Sequence, residues 1–286
     1  MKWLSFLATV AVLLAMVDGV HAQASRAEPK PGDIYELTLT REMAEQDNQG
    51  GTASSHDKDT LIESVVEVRA DGLELQYDLP KDATAQERAS DWHLPARVFK
   101  RVDGATRLSN PAELEARIDG WLKSGGMTRA HCGQLIFTWN AFRIDCDPQS
   151  VIGMIERFDL TSFEAREGAL YKSPDAGGAA RLTRGASGST LVAETPVDPD
   201  AVRRAQAETD IAVAQLMKKP LTLEEALRER AKDTVSGTVA VTFEISSAGD
   251  VWRRATVTKL EIGRPNGRLE SRTTSETLER RLVAAR

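Results

Sequence analysis

Residues 251–283 read VWRRATVTKLEIGRPNGRLESRTTSETLERRLV. Asn266-Gly267 lies between two stretches that suit β-strands, and an Asn-Gly pair in that position is the strongest short-range signal for a β-hairpin. We therefore expect one strand over Val251–Ile262 and a second over Leu269–Val283. Thr238–Ile245 alternates apolar and polar residues, which predicts a third strand immediately before them. The C-terminal third is thus predicted to form three antiparallel strands.

A matching set of three strands is predicted near the N-terminus. Ile34–Thr40 alternates in the same way, and so do Thr60–Val68 and Leu73–Leu79. Ala70-Asp71-Gly72 predicts the tight turn of a hairpin between the second and third of them. Residues 44–59 carry no large apolar side chain, so we interpret them as a long flexible connection.

The middle of the chain is predicted to be helical. Three times an Asn or Asp precedes a Pro, and this combination favours the first turn of a helix. The predicted helices cover residues 111–124, 148–158 and 199–218. The last of them is expected to turn a stripe that includes Val202, Val213 and Leu216 toward the core.

The predicted fold class is α+β, with a mainly antiparallel sheet that consists of two three-strand meanders and has helices packed on one face. Residues 32–286 are expected to form a single α+β domain, in which two β-rich halves are joined through the helical middle.

The first 22 residues have the features of a secretory signal peptide. Met1-Lys2 supplies a positive charge, and Trp3–Val17 is uncharged and mostly apolar. Cleavage is predicted after Ala22 or Ala24, so residues 1–22 are a signal peptide and residues 23–31 a polar leader. The alternative is an uncleaved anchor, but fifteen uncharged residues are fewer than the roughly 20 of a membrane span. We therefore expect a soluble periplasmic or secreted protein without a transmembrane segment after cleavage.

Composition and motifs argue against several functional classes. The net charge is −6 and the chain has no basic block, so nucleic acid is not an expected partner. The chain also contains no P-loop, no GxGxxG and no HExxH motif. No cofactor is predicted.

Two N-terminal motifs resemble those of uncharacterised exported β-sheet proteins of Gram-negative bacteria. The motifs are Gly32-Asp33-Ile34-Tyr35 and, after the polar stretch, Val66-Glu67-Val68-Arg69-Ala70-Asp71-Gly72. The C-terminal hairpin with Gly249 is similar to the end of those proteins. The resemblance implies an exported, β-rich fold and no particular activity, and it assigns no functional residue.

Cys132 and Cys146 are the only cysteines. Each lies seven residues from Trp139, so a hairpin with its tip at Trp139-Asn140 places them opposite each other. An oxidising compartment then favours a disulfide over two reduced, buried cysteines.

A zinc site is the alternative interpretation of this segment. His131, Cys132, Cys146 and Asp147 are suitable ligand types. However, neighbouring residues on a strand point to opposite faces, so neither adjacent pair converges easily on one ion.

The leading functional hypothesis is a non-catalytic protein of the cell envelope that binds an apolar ligand or an envelope partner. Trp92, Trp121, Trp139 and Trp252 are candidates for lining such a ligand pocket, although core packing is their default role. The alternative is an envelope hydrolase that uses acidic residues, and a purely structural role is a third hypothesis. His56 is predicted to lie in the flexible connection, which makes it a poor general base.

Overall fold

A computed structural model of the protein describes residues 28–137, 141–161 and 165–285. The predicted signal peptide, both cleavage positions and residues 23–27 of the leader lie outside the described residues. So does the predicted hairpin tip at Trp139-Asn140.

Within the described residues, the chain forms fourteen β-strands and five α-helices. The strands are β1 (Ile34–Asp47), β2 (Thr52–Arg69), β3 (Gly72–Asp78), β4 (Ala96–Arg101), β5 (Thr106–Leu108), β6 (Leu135–Phe137), β7 (Ala141–Arg143), β8 (Leu170–Tyr171), β9 (Ala180–Arg181), β10 (Thr183–Arg184), β11 (Thr190–Pro196), β12 (Thr234–Ile245), β13 (Val251–Gly263) and β14 (Leu269–Ala284). The helices are α1 (Ala85–Ser90), α2 (Pro111–Ser124), α3 (Ser150–Glu156), α4 (Pro199–Leu216) and α5 (Leu223–Arg230). A short 3-10 helix covers Arg129–His131.

Ten of these strands form one antiparallel sheet in the order β10-β11-β12-β13-β14-β1-β2-β3-β4-β5. A mainly antiparallel α+β fold is thus confirmed. The description as two three-strand meanders is incomplete: both sets are parts of one larger sheet, because β1 pairs with β14 along its whole length, from Ile34 opposite Ala284 to Asp47 opposite Glu270. This pairing satisfies backbone groups that two separate meanders would leave exposed at their edges.

The prediction of a flexible connection over residues 44–59 is also wrong. β1 continues to Asp47 and β2 begins at Thr52, and Met43 lies opposite Ser55 in an unbroken ladder. The turn between them is closed by the carboxylate of Asp47, which accepts a hydrogen bond from the Gly51 amide at 2.7 Å. Backbone pairing, and not burial of apolar side chains, defines these strands. His56 accordingly lies on β2, where its ring is 3.4 Å from the carboxylate of Glu42.

One face of the sheet, called here the inner face, carries the hydrophobic core. Strand alternation and register place the buried side chains of Leu37, Leu61 and Leu75 on this face. α2 packs against the same core cluster through three side chains that are buried one helical turn apart: Leu114, Ile118 and Leu122. α3 adds Val151 and Ile155 to that cluster.

The opposite, outer face of the sheet is polar. Thr38, Thr60 and Glu279 lie side by side on it, on β1, β2 and β14. Sheets with one packed and one solvated face show this alternation of apolar and polar residues.

α4 follows the predicted boundaries closely but not the predicted packing. Of its side chains only Ala207 is buried, and Val213 and Leu216 are exposed. Val202 packs against a second, small cluster on the inner face that includes Val239 and Leu260. The helix therefore lies over the inner face without a wide apolar contact.

Candidate functional site

The structure joins Cys132 and Cys146 in a disulfide with a Cα–Cα distance of 5.7 Å. The hairpin that the sequence predicts between them is present as β6 and β7, in which Ile136 lies opposite Phe142. Both sulfur atoms are therefore used in a covalent bond and are not thiolate ligands.

The other two zinc candidates take part in local backbone contacts. His131 Nδ1 accepts a hydrogen bond from the Thr128 amide at 3.1 Å. Asp147 accepts one from the Gln149 amide at 2.9 Å, immediately before α3. In the described part of the chain, no three His, Cys, Asp or Glu side chains come together in a group that could hold a metal ion.

The tryptophans have different environments. Trp92 is buried in the core and its ring is stacked on His93, with centroids 3.9 Å apart. Trp121 packs partly buried against the core. Trp139 lies outside the described residues. Trp252 lines a cavity. The sequence analysis had named it as one of four tryptophans that could line a ligand pocket.

This cavity has a volume of about 570 Å³ and lies on the inner face at one end of the sheet. It is bordered by the turns after β2, β4 and β12, by the beginning of β1 and by the end of β14. Protein sites for small molecules typically measure about 300–1,000 Å³. The cavity is therefore large enough for a small apolar ligand.

The sheet must curl to form this cavity. Lys100 on β4 and Trp252 on β13 line the same space, although four strands lie between theirs. In a flat sheet, five strand spacings would separate β4 from β13 by about 24 Å. Curling brings the two sides toward each other and turns the inner face into a trough.

The walls of the trough are mostly apolar. Val65 and Leu75 are buried deep in it, and Leu73 and Val251 extend the apolar surface. A space with such walls favours an apolar ligand, because filling it removes apolar surface from water.

A buried ion pair lies among these apolar walls. The Glu63 carboxylate, on β2, accepts hydrogen bonds from Arg280 Nη2 at 2.8 Å and Nε at 3.1 Å. Its second oxygen accepts the phenolic hydrogen bond of Tyr77 at 2.7 Å. The Arg280 guanidinium also stacks on the ring of Tyr35, with its central carbon 3.3 Å from the ring centroid. All four side chains belong to the inner face.

These contacts shift the acid–base properties of the cluster. Burial raises the pKa of Tyr77 well above its ordinary value, and the charge of Glu63 raises it further. Burial also raises the pKa of Tyr35, and the charge of Arg280 only partly offsets this. Burial alone would lower the pKa of Arg280, but Glu63 outweighs that effect and the pKa is raised. Both tyrosines therefore remain protonated, and Arg280 charged, at neutral pH.

A second ion pair lies at the β4 side of the cavity. Lys100 Nζ contacts the carboxylate of Asp159, and it donates a hydrogen bond to Thr161 Oγ1 at 2.8 Å. Both charged side chains are largely buried. This contact ties β4 to the segment that follows α3.

The mouth of the cavity exposes apolar side chains beside the charged pair Arg101–Asp103. Val102, Leu282 and Trp252 line it and are 80%, 50% and 40% exposed, respectively. Exposed apolar side chains around an opening are typical of a binding site.

The sequence analysis did not identify Glu63, Arg280, Lys100 or Asp159. One signal was available: Glu63 stands between Leu61 and Val65 in the alternating pattern, and this position points its side chain toward the core. A carboxylate in such a position needs a partner. No local pattern identifies Arg280 as that partner, because the two residues are 217 positions apart.

A second cavity of about 660 Å³ lies between α4 and the other end of the inner face. Charged side chains line it, and its arginines are paired within the protein. Arg230 contacts Asp210, Arg272 contacts Glu45, and Arg264 contacts Glu270. This groove offers a ligand less apolar surface than the first cavity.

The hydrolase hypothesis requires two carboxylates that face each other across a gap. The buried carboxylates of Glu63, Asp233 and Glu270 are instead each paired with an arginine, Arg280 in the first case and Arg264 in the other two. No observation on the described residues favours acid–base chemistry at these positions.

None of the helices described here combines the length and the apolar character needed to cross a bilayer.

Comparisons with known proteins give no family. No protein-family model matches the sequence, and no curated protein matches it. Among solved structures, a chain from "Lipid-protein interactions in lipovitellin" has a TM-score of 0.40 and 9% identity, over 91% of this chain and 26% of that chain. A conserved protein of unknown function with a hot dog fold from Alicyclobacillus acidocaldarius has a TM-score of 0.12 and 12% identity, over 92% and 84%. This chain thus spans about a quarter of the first structure, and neither likeness assigns it a family or a ligand.

Proposed function

We propose that this is an exported, non-catalytic binding protein of the periplasm or the extracellular space. It takes an apolar ligand into the cavity at the curled end of the sheet. The observation that carries this proposal is a mostly apolar-walled space of about 570 Å³ whose mouth exposes Val102, Leu282 and Trp252. A protein that used this surface only to bind an envelope partner would have no need of a space behind it.

Two features support the compartment. Residues 1–22 have the pattern of a cleavable signal peptide. The disulfide between Cys132 and Cys146 is typical of an oxidising compartment. Fusion of residues 1–30 to a reporter should send the reporter to the periplasm, with cleavage near Ala22 or Ala24. An intact N-terminus on protein isolated from the envelope would contradict the cleavage.

The ligand site is tested with N-phenyl-1-naphthylamine, an uncharged apolar dye whose fluorescence rises in apolar surroundings. We expect the purified mature chain to bind it with a 1:1 stoichiometry. Leu73→Trp places a larger side chain in the cavity and should weaken binding at least about tenfold, equivalent to 1.4 kcal/mol.

The matched control is Leu269→Trp. Leu269 is also a strand leucine, but it is 48% exposed and lies away from the cavity. This variant should bind the dye as the wild type does. Equal loss of binding in both variants, or dye binding that neither variant changes, would place the dye elsewhere and contradict the proposal.

A further inference from the structure

We propose that the ligand of the curled-end cavity is an uncharged amphiphile, with a single apolar chain and a hydroxyl or ester head group. This inference rests on the proposed function, and it specifies the ligand class of that same site. The observation behind it is that the basic side chains of the cavity are paired.

Every basic side chain that lines the cavity is already in an ion pair. Arg280 is held by Glu63 through two hydrogen bonds. Lys100 contacts Asp159, and Arg101 at the rim contacts Asp103 at 3.1 Å. An anionic head group would therefore meet cations whose charge is already balanced.

The two inner pairs are also well shielded from water. The side chains of Glu63 and Arg280 are 4% and 15% exposed, and those of Lys100 and Asp159 are similarly buried. A carboxylate or an ammonium group placed beside these two inner pairs would lose its hydration without gaining an unpaired counter-charge there, which is unfavourable. The acids Glu28 and Asp250 line the cavity apart from these pairs.

An uncharged head group avoids this cost. The hydroxyl-bearing side chains of Tyr35 and Ser246 line the cavity together with the ion pairs. Such groups both donate and accept hydrogen bonds. A hydroxyl or an ester can therefore be accommodated by hydrogen bonding, while the apolar chain lies along Leu73 and Leu75 toward the mouth.

The test compares three ligands with the same chain length, by titration calorimetry at pH 8 and below their micelle concentrations. They are monododecanoylglycerol, dodecanoate and dodecyltrimethylammonium. We expect the uncharged glyceride to bind at least about tenfold more tightly than either ion.

A variant that removes the counter-charge of Arg280 tests the ligand class directly. Glu63→Gln leaves the charge of Arg280 unbalanced within the cavity, so dodecanoate should gain at least about tenfold in affinity relative to the glyceride. Glu67→Gln is the matched control, because it removes the acid of an exposed ion pair, with Arg69, and neither residue lines the cavity. This control should leave the preference unchanged. If Glu63→Gln fails to fold, Asp159→Asn unbalances Lys100 on the other side of the cavity and should produce the same shift.

The outcomes separate the two proposals. If none of the three ligands binds, both the proposed function and this inference fail. If dodecanoate binds the wild type as tightly as the glyceride, or more tightly, the ligand class is wrong while the proposed function stands. The inference also fails if unbalancing Arg280 or Lys100 in a folded variant does not change the preference.

Discussion

Glu63 on β2 and Arg280 on β14 form an ion pair across the intervening strand β1, with N–O distances of 2.8 and 3.1 Å. The two strands lie one strand apart because β1 pairs with both of them. The pair therefore fastens the two ends of the chain to each other at the wall of the cavity.

Loss of one partner of this pair should destabilise the fold strongly. Arg280→Met leaves the buried carboxylate of Glu63 without a cation, and we expect a loss of about 3–5 kcal/mol in the free energy of unfolding. The double variant Glu63→Leu/Arg280→Met removes both charges and should recover most of that loss. Urea unfolding of the wild type and both variants measures these changes. A double variant that is less stable than the single one would contradict the role of the unpaired charge.

Stability should fall at alkaline pH because of the tyrosines. The chain has three tyrosines, and the pKa of each one is raised by burial. Above a pH of about 10 the unfolded chain loses phenolic protons that the folded protein retains, so the free energy of unfolding decreases as pH rises.

For the buried Tyr77 the slope is at most about 1.4 kcal/mol per pH unit. Tyr77→Phe should flatten the dependence measured by urea unfolding between pH 8 and 11. An unchanged slope in this variant would show that Tyr77 ionises as readily in the folded protein as in the unfolded chain.

Reduction of the disulfide should lower the melting temperature. The bond closes a loop between residues 14 positions apart, and a loop of this length contributes about 3 kcal/mol on the chain-entropy account. Cys132→Ser and Cys146→Ser should cost similar stability, and the double variant should add little. Titration of the unfolded, unreduced protein should detect no free thiol. Two free thiols would remove the disulfide and reopen the zinc hypothesis.

α2 and α4 should contribute very differently to stability. Ile118 of α2 is completely buried, so Ile118→Ala should cost about 2–5 kcal/mol. Val213 of α4 is 48% exposed, and Val213→Ala should change stability by less than about 0.5 kcal/mol. Urea unfolding of the two variants measures both changes in the free energy of unfolding. Similar losses in both variants would mean that α4 packs on the sheet as the sequence pattern predicted.

Local backbone chemistry made several elements predictable. The Asn266-Gly267 turn is present, and Gly267 adopts a φ of 84°, which a glycine accepts without strain. Asp198 caps α4 by accepting hydrogen bonds from the amides of Asp200 and Ala201. These signals act within a few residues, so the sequence alone contains them.

Asn110 shows where such a signal is incomplete. It precedes α2 as predicted, but its side chain makes no capping hydrogen bond. Instead its oxygen accepts the Arg97 amide at 2.8 Å and so attaches the start of α2 to β4. The tertiary contact with β4 therefore determines which amide donates to the Asn110 side chain.

The strands over residues 44–59 were missed for a related reason. The inner-face side chains in this region, among them Met43, Glu45, Ser55 and Asp57, line the polar groove beneath α4 and do not face the core. A strand whose two faces are both polar lacks the hydrophobic alternation that sequence analysis relies on. Its pairing depends on backbone hydrogen bonds and on the neighbouring strands.

The central position of β1 next to β14 also affects how the protein is made. β1 is synthesised first among the strands and its partner β14 last, so the middle of the sheet stays open until residues 269–284 become available. Until then β1 and β13 each have an exposed edge that invites pairing with other chains. The pairing of β1 with β14 must therefore form late, and a chain truncated before Leu269 is expected to aggregate rather than to form a smaller, stable sheet.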